Sequence, residues 1–135
     1  MPAGYSTNPL YKKLGLKEGQ VIRVINAPKD YDVLIGEIIG KVTMIKKPGA
    51  EPDFIHFFTN SVKELEATLP LLKKEIKKDG MIWVSWYKKS AGLKTEITEN
   101  LVRDTALAIG LVDVKVCAVD DHWSGLKLVF RLKDR

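Results

Sequence analysis

Few side chains in this chain of 135 residues have types and spacings that could do chemistry. Asp120-Asp121-His122 puts two carboxylates beside an imidazole, a set that suggests a divalent cation. Three adjacent residues rarely aim at one ion, and no spaced fourth ligand accompanies them, so no metal is expected. His56 stands among Phe54, Ile55, Phe57 and Phe58, where a buried, hydrogen-bonded imidazole is expected rather than a base. Cys117, the single cysteine, lies between Val116 and Ala118 and reads as an inert core thiol. No Ser-His-Asp order, Walker loop or zinc spacing is present, so no catalytic residue is assigned. What remains is a set of residues suited to holding a ligand: Asn26, Asn60, Ser61, Lys88, Lys89, Asp120, Trp123 and Ser124.

Those residues need a scaffold, and the chain is long enough to bury one substantial core as a single domain over residues 1–135. Hydrophobic residues at 45% and charged residues at 29% fit a globular protein, and no apolar run is long enough to span a membrane. The first residues lack the basic and apolar regions of a signal peptide, and one cysteine permits no internal disulfide. A cytoplasmic location is expected. The net charge of +5 comes from lysines dispersed along the chain, as in Lys46-Lys47, Lys73-Lys74, Lys77-Lys78 and Lys88-Lys89. The middle four fall near the end of one helix, where cations meet the negative end of its dipole. Aromatic residues are not interleaved with the basic pairs, so nucleic acid is not an expected partner.

The elements follow from local signals. Asn8-Pro9 opens a short helix that Gly15 ends. Val21–Ile25 is the first strand. A second helix starts at Asp30 or Asp32, carries Val33, Leu34, Ile35, Ile38 and Ile39, and stops at Gly40. Val42–Ile45 is the next strand, and Phe54–Phe58 reads as a strand buried on both faces. Ser61-Val-Lys-Glu64 is a capping box before the strongest helix, on which Val62, Leu65, Leu69, Leu72 and Ile76 share a face. Pro70 should kink it, and Asp79-Gly80 should end it. Met81–Trp86 is a strand, and the last helix runs from Thr98 to Ile109 before Gly110. Val112–Val119 and Leu126–Arg131 then form a hairpin across the connection Asp120–Gly125.

Alternating strands and helices predict a three-layer α/β/α sheet of about six strands, mostly parallel, with its last strand antiparallel. In such sheets ligands bind outside the carboxyl ends of the strands, near the point where strand order reverses. The loops delivered there are Asn26–Asp30, Thr59–Ser61, Lys88–Ser90 and Asp120–Gly125. The N–H groups at Ser61 and the two lysines favour a small anionic ligand, with Asp120 and Asp121 free to pair with the lysines in its absence. Trp123 on the hairpin must pack down over the sheet edge or meet a ligand or partner.

Two blocks, Leu14-Gly-Leu-Lys-Glu-Gly-Gln-Val21 and Gly110 to Asp120 followed by Trp123-Ser-Gly-Leu-Lys-Leu-Val129, carry a resemblance, with Ile82-Trp-Val and Lys88-Lys89 between them. On them the chain resembles a small bacterial domain-of-unknown-function family, which implies no activity. In architecture it is similar to S-adenosylmethionine-dependent methyltransferases of the Rossmann-like class, a resemblance that implies the strand order 2-1-3-4-6-5. That resemblance implies glycines after the first strand and a carboxylate after the second. The chain has Asn26-Ala-Pro-Lys-Asp30 and Lys46-Lys47 there. The expected function is therefore a non-catalytic domain binding a small anionic ligand or a regulatory partner at the carboxyl edge, without a cofactor. The alternative is a divergent S-adenosylmethionine-dependent methyltransferase-like enzyme.

Overall fold

Phe54–Phe58 forms β3, and all five of its residues are buried, as a strand covered on both faces requires. The structure, a computed structural model, describes residues 8–135. β1 (Val21–Ile25) and β4 (Met81–Tyr87) flank β3 in parallel, and β2 (Thr43–Ile45) joins β1 in parallel at one edge. At the other edge, β6 (Trp123–Phe130) runs antiparallel to β4, and β5 (Leu111–Ala118) antiparallel to β6. The order β2-β1-β3-β4-β6-β5 is the one the architectural resemblance implies.

Helices cover both faces. On one side α3 (Val62–Glu75) and α4 (Glu99–Ala108) bury Leu65, Leu69, Leu72, Val102 and Ala106 against Ile55, Phe57, Ile82 and Leu128. On the other, α1 (Leu10–Leu14) and α2 (Tyr31–Ile35) bury Leu14, Tyr31 and Ile35 against Ile22, Phe54 and Trp83. Trp83 Nε1 donates to Leu14 O at 2.8 Å, which fixes α1 on the sheet. The result is a three-layer α/β/α sandwich with a mostly parallel sheet.

Several boundaries differ from the sequence reading, each for a local reason. α1 begins at Leu10, with Pro9 rather than Asn8 in the N-cap position. The second helix stops at Gly36, not Gly40. Gly36 adopts φ 70°, a conformation that favours glycine, and the chain continues as a 3-10 segment over Gly36–Lys41. Val33 is consequently 81% exposed and contributes no core. α3 passes through Pro70 as one helix and ends at Glu75, before Asp79-Gly80. There Lys77 N donates to Pro52 O at 3.1 Å and Lys77 Nζ to Asp53 at 3.0 Å, drawing the chain off the helix.

The hairpin is tighter than predicted. β6 starts at Trp123, so Trp123, Ser124 and Gly125 belong to the strand and not to the connection. Asp120 Oδ1 accepts from the backbone N–H groups of His122 and Trp123, both at 2.8 Å, closing the turn. Gly125 sits where β6 approaches the Trp83 ring closely. A Cβ there would lie 3.0 Å from the Trp83 ring and 3.1 Å from Ser85 Oγ, so any larger residue must push these side chains aside by a few tenths of an ångström.

Candidate functional site at the carboxyl edge

The strand order reverses between β1 and β3, because the chain leaves β1 toward β2 and leaves β3 toward β4. The turn after β1 opens with Asn26 at φ 58°, a left-handed conformation that asparagine tolerates better than most residues. Its Nδ2 donates to Phe58 O at 3.0 Å and to Glu64 Oε2 at 3.1 Å. Thr59 Oγ1 donates to the other oxygen of the same carboxylate at 2.5 Å. The mouth of the crevice is thus bridged by the chain's own Asn26, Thr59 and Glu64.

The start of α3 is also engaged. Ser61 Oγ accepts from Glu64 N at 3.2 Å, which is half of the expected capping box. The other half is diverted, since the Glu64 carboxylate goes to Asn26 and Thr59, and Ser61 N donates to Thr59 Oγ1 at 3.2 Å. Val62 N donates to Glu96 Oε1 at 2.9 Å. A carboxylate of the chain already sits at this helix terminus, so the anion expected there meets a filled position. Asn60 is a latch: its Oδ1 accepts from Tyr87 N at 2.8 Å, and its carbonyl accepts from Glu96 N at 3.0 Å.

Further along the edge, Lys88, Lys89 and Ser124 line a cavity of about 710 Å³ together with Trp86, Tyr87, Ile97, Thr98 and Asn100. Cross-strand pairing of Trp86 with Ser124 brings the hairpin to this point, and Lys88 N donates to His122 O at 2.9 Å. Thr98 caps α4 by accepting from Leu101 N at 3.1 Å. Asp120 forms no ion pair with these lysines, because its carboxylate is committed to the turn. Trp123 is half-buried, edge-on to Phe58 at 4.9 Å between ring centroids and tilted on Tyr87 at 4.4 Å. It packs down. The eight residues singled out in the sequence therefore share one edge but divide among a bridge, a latch, a turn and a cavity. Among the described residues no cluster of three metal-ligating side chains exists.

Sequence reasoning missed a buried polar relay beneath this edge. Tyr31 Oη lies 2.9 Å from His56 Nδ1, and His56 Nε2 lies 2.7 Å from Ser85 Oγ. Either neutral imidazole tautomer completes the chain of donors and acceptors. Burial pushes His56 down to about 3 and Tyr31 well up, so neither carries charge at neutral pH. A serine beside an imidazole would be a nucleophile at a surface. Here both are fully buried, and the relay is structural.

The fold is that of S-adenosylmethionine-dependent methyltransferases. The chain is similar to a methyltransferase of this kind from Aquifex aeolicus, with a TM-score of 0.61 at 14% identity over 88% of this chain and 86% of that one. It is similar to the magnesium protoporphyrin IX methyltransferase ChlM from Synechocystis with bound SAM, at 0.60 and 11% identity over 90% and 74%. CalO1, a methyltransferase of calicheamicin biosynthesis in its SAH-bound form, matches at 0.62 and 10% identity over 90% of this chain and 52% of its own length. The chain thus spans about half of that enzyme. At these identities the likeness shows the fold. No protein-family model matches the chain, and no curated protein matches it significantly, so the resemblance to a bacterial domain-of-unknown-function family gains no support.

Proposed function

We propose that this chain is a small-ligand-binding domain on the methyltransferase fold, holding an anionic molecule in the cavity between β4, β6 and α4. The observation that carries this reading is the convergence of Lys88, Lys89, Ser124, Thr98 and Asn100 around about 710 Å³ at the ligand-binding edge of the sheet. The cavity's one carboxylate, Glu99, is paired with Arg103 at 2.5 Å, which leaves the lining net positive. Trp86, Tyr87 and Ile97 offer apolar surface to the rest of the ligand. Titration with inorganic pyrophosphate, followed by backbone amide spectra, tests it. Lys88→Ala with Lys89→Ala should weaken binding at least tenfold and leave thermal stability nearly unchanged, because exposed charges contribute at most about 1 kcal/mol. Unchanged binding, or a large loss of stability, would contradict the assignment.

A second reading, a divergent S-adenosylmethionine-dependent methyltransferase, is the one the comparisons favour over a non-catalytic domain, since the similar structures carry that activity. The crevice between β1 and β3 speaks against the usual mode of cofactor binding. It has no glycine in Asn26–Asp30, presents Lys46-Lys47 after β2, and is bridged by Asn26 and Glu64. A cofactor entering there must break those bonds. Binding of S-adenosylmethionine separates the two readings.

A further inference from the structure

Lys115 on β5 and Lys127 on β6 stand directly opposite each other in the antiparallel ladder. Like charges in that position destabilise a sheet, yet no carboxylate relieves them. Lys115 Nζ donates to Lys13 O at 2.9 Å, and the Lys127 ammonium makes no hydrogen bond or ion pair among the described residues. Burial lowers the Lys127 ammonium from its ordinary range, and Lys115, Lys17 and Arg135 lower it further. Lys13 and Lys115 also act on the Cys117 thiol, on the same side of β5 as Lys115. Cations from α1, the following turn, β5, β6 and the C-terminal residues therefore gather on one face of the sheet, the side covered elsewhere by α1. They are dispersed in sequence and collected by the fold.

We propose that this face docks the phosphate backbone of a nucleic-acid duplex. The charge is complementary to a polyanion, and lysines opposed across neighbouring strands suit evenly spaced phosphates. Lysine is depleted from the cores of protein–protein interfaces, which disfavours an acidic protein as the occupant. A membrane surface would call for a large apolar side chain beside the lysine pair, whereas the residues flanking it on this face of β5 and β6, Cys117 and Gly125, are small and buried. Trp123, on the same face of β6, is packed on Phe58 and Tyr87 rather than offered for base stacking, so contacts are to the backbone and independent of sequence.

Fluorescence anisotropy of the full chain with a labelled 20-base-pair duplex tests this across 50–200 mM salt. With four or five phosphates neutralised, log K should fall against log salt with a slope of roughly −4, and affinity should drop on the order of 10²-fold over that range. Lys115→Gln with Lys127→Gln should reduce the slope by about 2 and leave the fold intact by circular dichroism. Lys46→Gln with Lys47→Gln, beyond the opposite edge strand, should leave the slope unchanged. Absence of binding at 50 mM salt, wild-type binding by the Lys115/Lys127 variant, or equal binding of poly-glutamate or anionic vesicles would overturn the proposal.

Discussion

Trp83→Ala should cost on the order of 3–5 kcal/mol of folding stability, the range for removing a buried aromatic side chain. Trp83 is fully buried at the centre of the sheet, under α1 and against Gly125. Truncation opens a cavity and strips Leu14 O of its donor, and a buried acceptor left unpaired costs about 1–3 kcal/mol. Against a typical total of about 5–15 kcal/mol, the loss is a large fraction. Trp83→Phe keeps a ring in place and loses the hydrogen bond, so it should fall between wild type and Trp83→Ala. Urea unfolding of the three proteins checks the order. An alanine variant within about 1 kcal/mol of wild type would show that α1 is not held through this residue.

The second large effect is a dependence of stability on pH. His56 titrates near 6.5 when unfolded and is pushed down to about 3 in the fold by burial. A depressed histidine stabilises the fold fully above its unfolded value, and that contribution is lost as pH falls, because only the unfolded chain takes up the proton. Unfolding free energy should therefore decline by up to about 1.4 kcal/mol per pH unit below 6.5, or about 3 kcal/mol by pH 4. Denaturant titrations at successive pH values measure the slope. The imidazole's own titration, read by NMR in the folded protein, should have its midpoint below pH 4. A midpoint near 6 would contradict the buried relay with Tyr31 and Ser85.

The strands and helices were legible because their signals are local, whereas their order in the sheet came from the resemblance in architecture. Phe54–Phe58 and Met81–Tyr87 are near-continuous apolar runs, and Ser61 and Thr98 cap helices within three residues of themselves. The partners of His56 were not legible: Tyr31 and Ser85 lie 25 and 29 residues away, and only folding brings them together. The start of β6 was misplaced because Trp-Ser-Gly has the composition of a loop, whereas Gly125 is in the strand to make room for Trp83. The carboxyl edge was legible from topology, since parallel strands deliver their following loops to one side. Its internal division was not, because Glu64 reads as a capping partner and is instead drawn across to Asn26 and Thr59. Likewise the opposition of Lys115 and Lys127 depends on the register shift between Asp113 and Lys115, which no pattern in the chain announces.

Two of the similar methyltransferases were solved with SAM or SAH, whereas here Asn26, Thr59 and Glu64 bridge the crevice between β1 and β3, and the proposed ligand site is the neighbouring cavity. Calorimetric titration with S-adenosylmethionine tests it most directly. No saturable binding is expected up to about 1 mM, an affinity no stronger than about −4 kcal/mol. Saturable binding at low micromolar concentration would contradict it and establish the chain as a cofactor-binding member of the fold.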